Sequence, residues 1–193
     1  MKLNNLTHLI KVFTVYVNVF SLLIAFHFAL PQATFGAKPS SPDKYSQIEL
    51  KIKIGGKLPD LQLEKVGGGA TKLSNVVVSG HKSIVVMWAT WCSACARLMT
   101  SLEKSRVSLQ SNKINLVGIN ADIEKNAPIG SFIADKKLQL PIYVGGIEAD
   151  KRIFAKREVA VPLTIFLDEN GTVTDYGFGL SDKIINNINT LAQ

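Results

Sequence analysis

The chain has 193 residues, 47% of them hydrophobic and 19% charged, with a formal charge of +7 and two cysteines. That length fits one ordinary globular domain plus a short extra segment and excludes a second large domain. No Lys/Arg run exceeds two residues, so the basic stripe that neutralises a nucleic-acid backbone is missing and no nucleic-acid partner is expected.

Residues 1–37 carry only Lys2 and Lys11 and no acid, which leaves +5 for the rest. Between Val12 and Leu30 lie nineteen uncharged residues, broken only by Thr14, Asn18, Ser21 and His27. As a helix they would span about 28 Å, close to a hydrocarbon core of roughly 30 Å. Signal-peptide cores are usually shorter, which favours an uncleaved membrane anchor. The polar interruptions and the small residues in Ala33-Thr34-Phe35-Gly36-Ala37 favour removal, with a cut after Gly36 better than one after Ala37. Either reading keeps the lysines cytoplasmic and exports the remainder. Residues 38–47 (KPSSPDKYSQ), rich in Pro, Ser and charge, read as a flexible tether, and the domain is expected over 48–193.

From Ile48 the pattern alternates between strand and helix signals. Ile48 to Ile54 alternates apolar and polar residues, and Leu58 to Leu63 leads into Gly67-Gly68-Gly69, which together predict an N-terminal β extension. Ser83 to Trp88 is a β-branched apolar run suited to a strand buried on both faces. Ala96 to Leu109 places Leu98, Met99, Leu102 and Leu109 at near-helical spacing. Ile114 to Ile119 reads as a second buried strand, 127–138 as a weaker helix and Glu148 to Arg157 as another, followed by a strand at Leu163 to Leu167. Asp168-Glu169-Asn170-Gly171 is a hairpin turn with Thr172 to Tyr176 as the partner strand, and Ser181 can cap a last helix carrying Ile184, Ile185, Ile188 and Leu191. The order predicts an α/β domain: a mixed central sheet flanked by helices, with a central αβ insertion.

Two cysteines cannot staple such a domain, and a chain of this size needs no staple. Both fall in Trp88-Ala89-Thr90-Trp91-Cys92-Ser93-Ala94-Cys95. A Cys-x-x-Cys where a strand gives way to a helix puts the first sulfur at the helix N-terminus, whose unpaired N–H groups and positive dipole end favour thiolate. One turn on, Cys95 lies on the same side and can attack a mixed disulfide formed at Cys92. Closing so short a loop stabilises a fold by only about 2 kcal/mol, which suits reversible oxidation better than stapling. A metal site would need further ligands, and His81 is the only histidine after residue 37; no metal or other cofactor is expected. Two buried, inert thiols are the bland alternative.

The string WATWCSAC resembles the active-site motif of the thioredoxin superfamily, in particular of the TlpA/ResA-like thiol–disulfide oxidoreductases. Gly56-Lys57-Leu58-Pro59-Asp60-Leu61-Gln62-Leu63 resembles that family's N-terminal entry, with Leu61 in place of the usual aromatic. Val161 to Gly171 resembles its cis-proline strand and hairpin. On its own Pro162 equally suits the start of an edge strand. The resemblance implies a Val161–Pro162 cis peptide opposite the dithiol, with the backbone of Val161 open to an extended substrate segment and Trp91 offering an apolar contact surface. Trp88 reads as core packing. Seventy residues separate Cys92 from Pro162, room for the αβ insertion of the TlpA-like branch.

Two positions depart from the pattern. Thioredoxin carries a buried Asp six residues before its first cysteine, where this chain has Val86; Asp122 and Glu124 follow the next strand, and Glu124 is nominated for proton transfer, with solvated surface charge as its plainer reading. Ser93-Ala94 replaces the usual Pro-containing dipeptide and supplies no cation to stabilise a thiolate, which argues for a reductant. The resemblance implies disulfide-containing exported proteins as substrates, an apocytochrome c among them, and a membrane thiol-electron donor of the DsbD/CcdA type. The competing readings are a peroxiredoxin-like peroxidase, whose P-x-x-x-[ST]-x-x-C motif is broken by Ala89, and a Cu(I) carrier without enzymatic activity.

Overall fold

The computed structural model describes residues 44–124, 126–156 and 159–193. The expected signal or anchor, residues 1–37, and most of the tether lie outside them. Among the described residues no helix is long and apolar enough to cross a membrane.

The sheet is built from the runs with the most apolar, β-branched character. Lys82–Trp88 (β3), Ile114–Asn120 (β4) and Leu163–Leu167 (β6) are buried almost end to end and form the centre. β3 pairs parallel with β4 and antiparallel with β6. Residues covered on both faces of a sheet need no polar alternation. Outward from β6 runs Val173–Phe178 (β7), antiparallel. Outward from β4 come Ile142–Val144 (β5), parallel, and then Gln62–Lys65 (β1) and Ala70–Lys72 (β2), both antiparallel. The result is a mixed seven-stranded sheet in the order β2-β1-β5-β4-β3-β6-β7. Helices flank it: Leu73–Val76 (α1), Ser93–Ser111 (α2), Ile129–Lys136 (α3), Gly146–Ile153 (α4) and Asp182–Leu191 (α5).

Local chemistry sets the joints. Gly171 takes φ 74° in the β6–β7 hairpin, a conformation that costs glycine no Cβ clash. Ser181 caps α5, its hydroxyl accepting the Ile184 N–H at 3.4 Å, as expected of an N-cap serine. Three expectations need correction. Ile48–Ile54 is not a strand: Leu50 makes one isolated bridge to Phe154, and the turn at Ile54-Gly55, with Gly55 at φ 83°, ends it. The same bridge takes Phe154 into extended backbone and stops α4 at Ile153, short of the expected Arg157. The entry strand runs over Gln62–Lys65 rather than Leu58–Leu63; Leu73, opposite Leu61 and donating to its carbonyl at 2.9 Å, already opens α1, and the ladder ends there. The strand of the expected αβ insertion, to which no residues were assigned, is β5; its three residues are too few for a period to register.

One partly buried polar clamp holds the insertion to α2. Glu103 Oε1 accepts Arg106 Nε at 2.7 Å, and Oε2 accepts the Gln139 and Leu140 N–H groups at 2.8 and 2.9 Å, just ahead of β5. Arg106 also donates to Gln139 Oε1 at 2.7 Å. Burial works against the charged form of Glu103, but the Arg106 guanidinium and the two amides outweigh it and hold the carboxyl below its ordinary 4.5. A carboxylate depressed in the folded state adds stability above its unfolded value and loses it as the pH falls through the folded one. Glu103→Gln should therefore cost about 1–3 kcal/mol at pH 7, measured by urea denaturation. The gap to the unaltered protein should close below pH 4.5; a gap unchanged between pH 7 and pH 3 would contradict the clamp.

Candidate active site

β3 ends at Trp88, and the chain turns through Ala89, Thr90 and Trp91 before α2 begins at Ser93. Cys92 closes this turn, its N–H donating to the Ala89 carbonyl at 3.2 Å. It occupies the N-cap of α2 with extended backbone, and its sulfur accepts the Cys95 N–H at 3.1 Å. A cysteine here does what a capping serine does, satisfying one orphan donor of the first turn with a side-chain acceptor. Cys92 and Cys95 are joined in a disulfide, with Cα atoms 5.1 Å apart. Cys95 is fully buried, whereas Cys92 keeps 7% of its surface accessible. Of the two sulfurs, the one open to an incoming group is that of Cys92, placed on the Cys95 N–H.

Opposite, the Val161–Pro162 peptide is cis, and Cys92 Sγ lies 3.7 Å from the Val161 carbonyl oxygen. Trp91 stands beside the pair with 67% of its surface exposed, while Trp88 is buried against Phe132 at 4.7 Å between ring centroids. Cys92, Cys95, Trp91, Val161 and Pro162 thus come together. Glu124 does not join them: it is exposed on the rim of a cleft of about 260 Å³ that Thr90, Trp91, Asp122, Pro128 and Val159 also line.

The carboxylate that reaches the motif is Asp122, buried at the exit of β4. Its Oδ2 accepts the Thr90 N–H at 3.0 Å and Asn120 Nδ2 at 2.9 Å, and its own N–H donates to Asn120 Oδ1 at 3.1 Å. With the Ala121 N–H on the Trp88 carbonyl at 2.8 Å, these bonds splice the end of β4 to the turn that presents Cys92. The sequence offers Asp122 beside Glu124 as a candidate, and where β4 ends against β3 decides that Asp122 is the one to reach the motif. Among the described residues no group of three or more His, Cys, Asp or Glu side chains converges.

Comparison with known proteins agrees with this architecture. The family model described as AhpC/TSA matches residues 54–176. The thioredoxin-like protein YneN of Bacillus subtilis (strain 168) is 30% identical over 143 residues, covering 72% of this chain and 79% of that protein. Among solved structures, a Bacteroides thetaiotaomicron protein superimposes with a TM-score of 0.64 at 18% identity, covering 75% of this chain and 91% of its own. StoA from Bacillus subtilis gives 0.53 at 18% identity, over 68% and 97%.

The splice has a measurable worth. Asp122→Ala strips the Thr90 N–H and Asn120 Nδ2 of their acceptor, and should lower stability by about 1–3 kcal/mol. Denaturant titration of the oxidised protein measures it, and a loss below about 0.5 kcal/mol would show that Asp122 does not hold the turn.

Proposed function

We propose, on the premise that this chain belongs to the AhpC/TSA family of thioredoxin-like proteins, that it is a thiol–disulfide oxidoreductase and works outside the cytoplasm as a reductant of protein disulfides. The observation that carries the reading is a single reachable sulfur, hydrogen-bonded by a helix-opening amide, with its partner one turn behind and sealed from solvent.

The reaction follows from that arrangement. The Cys92 thiolate attacks one sulfur of a substrate disulfide, the substrate S–S bond breaks, and the departing substrate thiolate takes a proton from solvent. Cys95 then gives up its proton and attacks Cys92 Sγ; the mixed disulfide breaks and the second substrate thiolate leaves. The substrate gains two electrons and the Cys92–Cys95 pair loses two, ending in the bonded state seen here. An extended substrate segment pairs with the backbone of Val161 and rests against Trp91. Residues 1–37, with two lysines before a long uncharged stretch, support export or anchoring. Resetting the pair needs a dithiol donor on the same side of the membrane, and a membrane thiol transporter of the DsbD/CcdA type fits. Ser93-Ala94 favours the reducing direction, and a cell-envelope protein or an apocytochrome c fits as substrate.

Peroxide reduction is the competing reading within this family. It asks for a Thr or Ser three residues before the reactive cysteine, where Ala89 stands.

Replacing Cys95 with Ser leaves the first step intact and removes the second, so a mixed disulfide should accumulate on Cys92 when the reduced variant meets a disulfide-bonded protein such as insulin. Non-reducing electrophoresis and mass spectrometry detect it. Absence of the adduct, or consumption of hydrogen peroxide by the unaltered protein faster than reduction of insulin, would overturn the assignment.

A further inference from the structure

Tyr45 belongs to the stretch whose composition reads as a loose tether, yet it packs beside the dithiol. Its ring stacks on Phe178 at 4.8 Å between centroids and 11° between planes. Phe178 ends β7 directly opposite Leu163, and the next residue, Gly179, donates its N–H to the Pro162 carbonyl at 2.9 Å. Gly179 has φ 71°, and a Cβ there would stand 3.4 Å from the Tyr45 ring. The tyrosine therefore lies on the backbone that carries the cis-proline. Its hydroxyl faces the Val161 carbonyl oxygen at 3.5 Å, the oxygen that also lies 3.7 Å from Cys92 Sγ.

That carbonyl matters because an extended substrate would use it. Among the described residues no acceptor takes the Val161 N–H, and the Tyr45 hydroxyl is the one O–H or N–H donor near its carbonyl. The residue has the open hydrogen-bonding edge that strand addition requires, yet it is only 5% exposed. A strand cannot pair with a backbone that covered until the cover moves. We propose that Tyr45 is a specificity-determining residue, which must yield the Val161 carbonyl before a polypeptide substrate can dock as a strand. A small disulfide that meets Cys92 alone needs no such displacement. This rests on the oxidoreductase reading above and adds a selection step to it. The donor the substrate must supply is a backbone N–H, so the favoured class is an extended, unfolded segment bearing a disulfide.

The test uses the reduced full chain in detergent micelles and two substrates: a disulfide-bonded unstructured peptide and the small aromatic disulfide DTNB. Tyr45→Phe keeps the stack and removes the hydroxyl. It should raise kcat/KM for the peptide about three- to tenfold, the scale of one lost competing hydrogen bond, through a lower KM at unchanged kcat. Its rate with DTNB should stay within about twofold of the unaltered protein. Tyr45→Leu, which also removes the stack, should raise the peptide value at least as far. Unchanged or reduced peptide turnover in Tyr45→Phe, or an equal change with both substrates, would overturn the proposal. Failure of the unaltered protein to reduce either substrate would instead defeat the oxidoreductase reading itself.

Discussion

The site depends on one short hydrogen bond: the Cys95 N–H donating to Cys92 Sγ across the first turn of a helix. Every helix leaves amides unpaired at its start, and an acceptor that gains negative charge is the partner they stabilise most. Placing a cysteine rather than a serine at that cap turns a structural device into a chemical one. The geometry also divides the labour between the sulfurs, since Cys92 retains access to solvent and Cys95 has none. One sulfur faces solvent; the other can reach only its neighbour.

Much of the remaining architecture holds that cap in place. β3 delivers the turn from the middle of the sheet, buried between a parallel and an antiparallel neighbour. Asp122, at the end of the parallel neighbour, fastens Thr90. The antiparallel neighbour leads out of the cis-proline, which brings the Val161 carbonyl against Cys92. Strand ends from both sides thus converge on a single turn. The Glu103 clamp does the corresponding work further out, fastening the segment ahead of β5 to α2.

How much of this was legible in the sequence varies with the range of the interaction. β3, β4 and β6 were readable because a buried central strand writes its burial into consecutive residues, and α2 because its apolar positions recur each turn. Cys92 and Cys95 were readable because spacing and position at a strand–helix junction are local properties. Ile48–Ile54 misled: its alternation implies two faces, but Ile52 is buried and Ile54 exposed in a segment with one bridge. Asp122 was visible as a candidate beside Glu124, but choosing between them needs the register of β4 against β3, which no local pattern carries. Tyr45 was hidden, because its ring stacks on Phe178 and its hydroxyl faces Val161, both more than a hundred positions away.

The reduced protein should carry an unequal pair of thiols, and alkylation across a pH series measures that inequality most directly. With iodoacetamide and peptide mapping, Cys92 should reach half its maximal rate well below the ~8.5 of an unperturbed thiol, while Cys95 stays unreactive throughout the range. Cys92 titrating like a cysteine in an unstructured peptide, or both thiols reacting alike, would contradict the claim that the helix-opening amide activates this site.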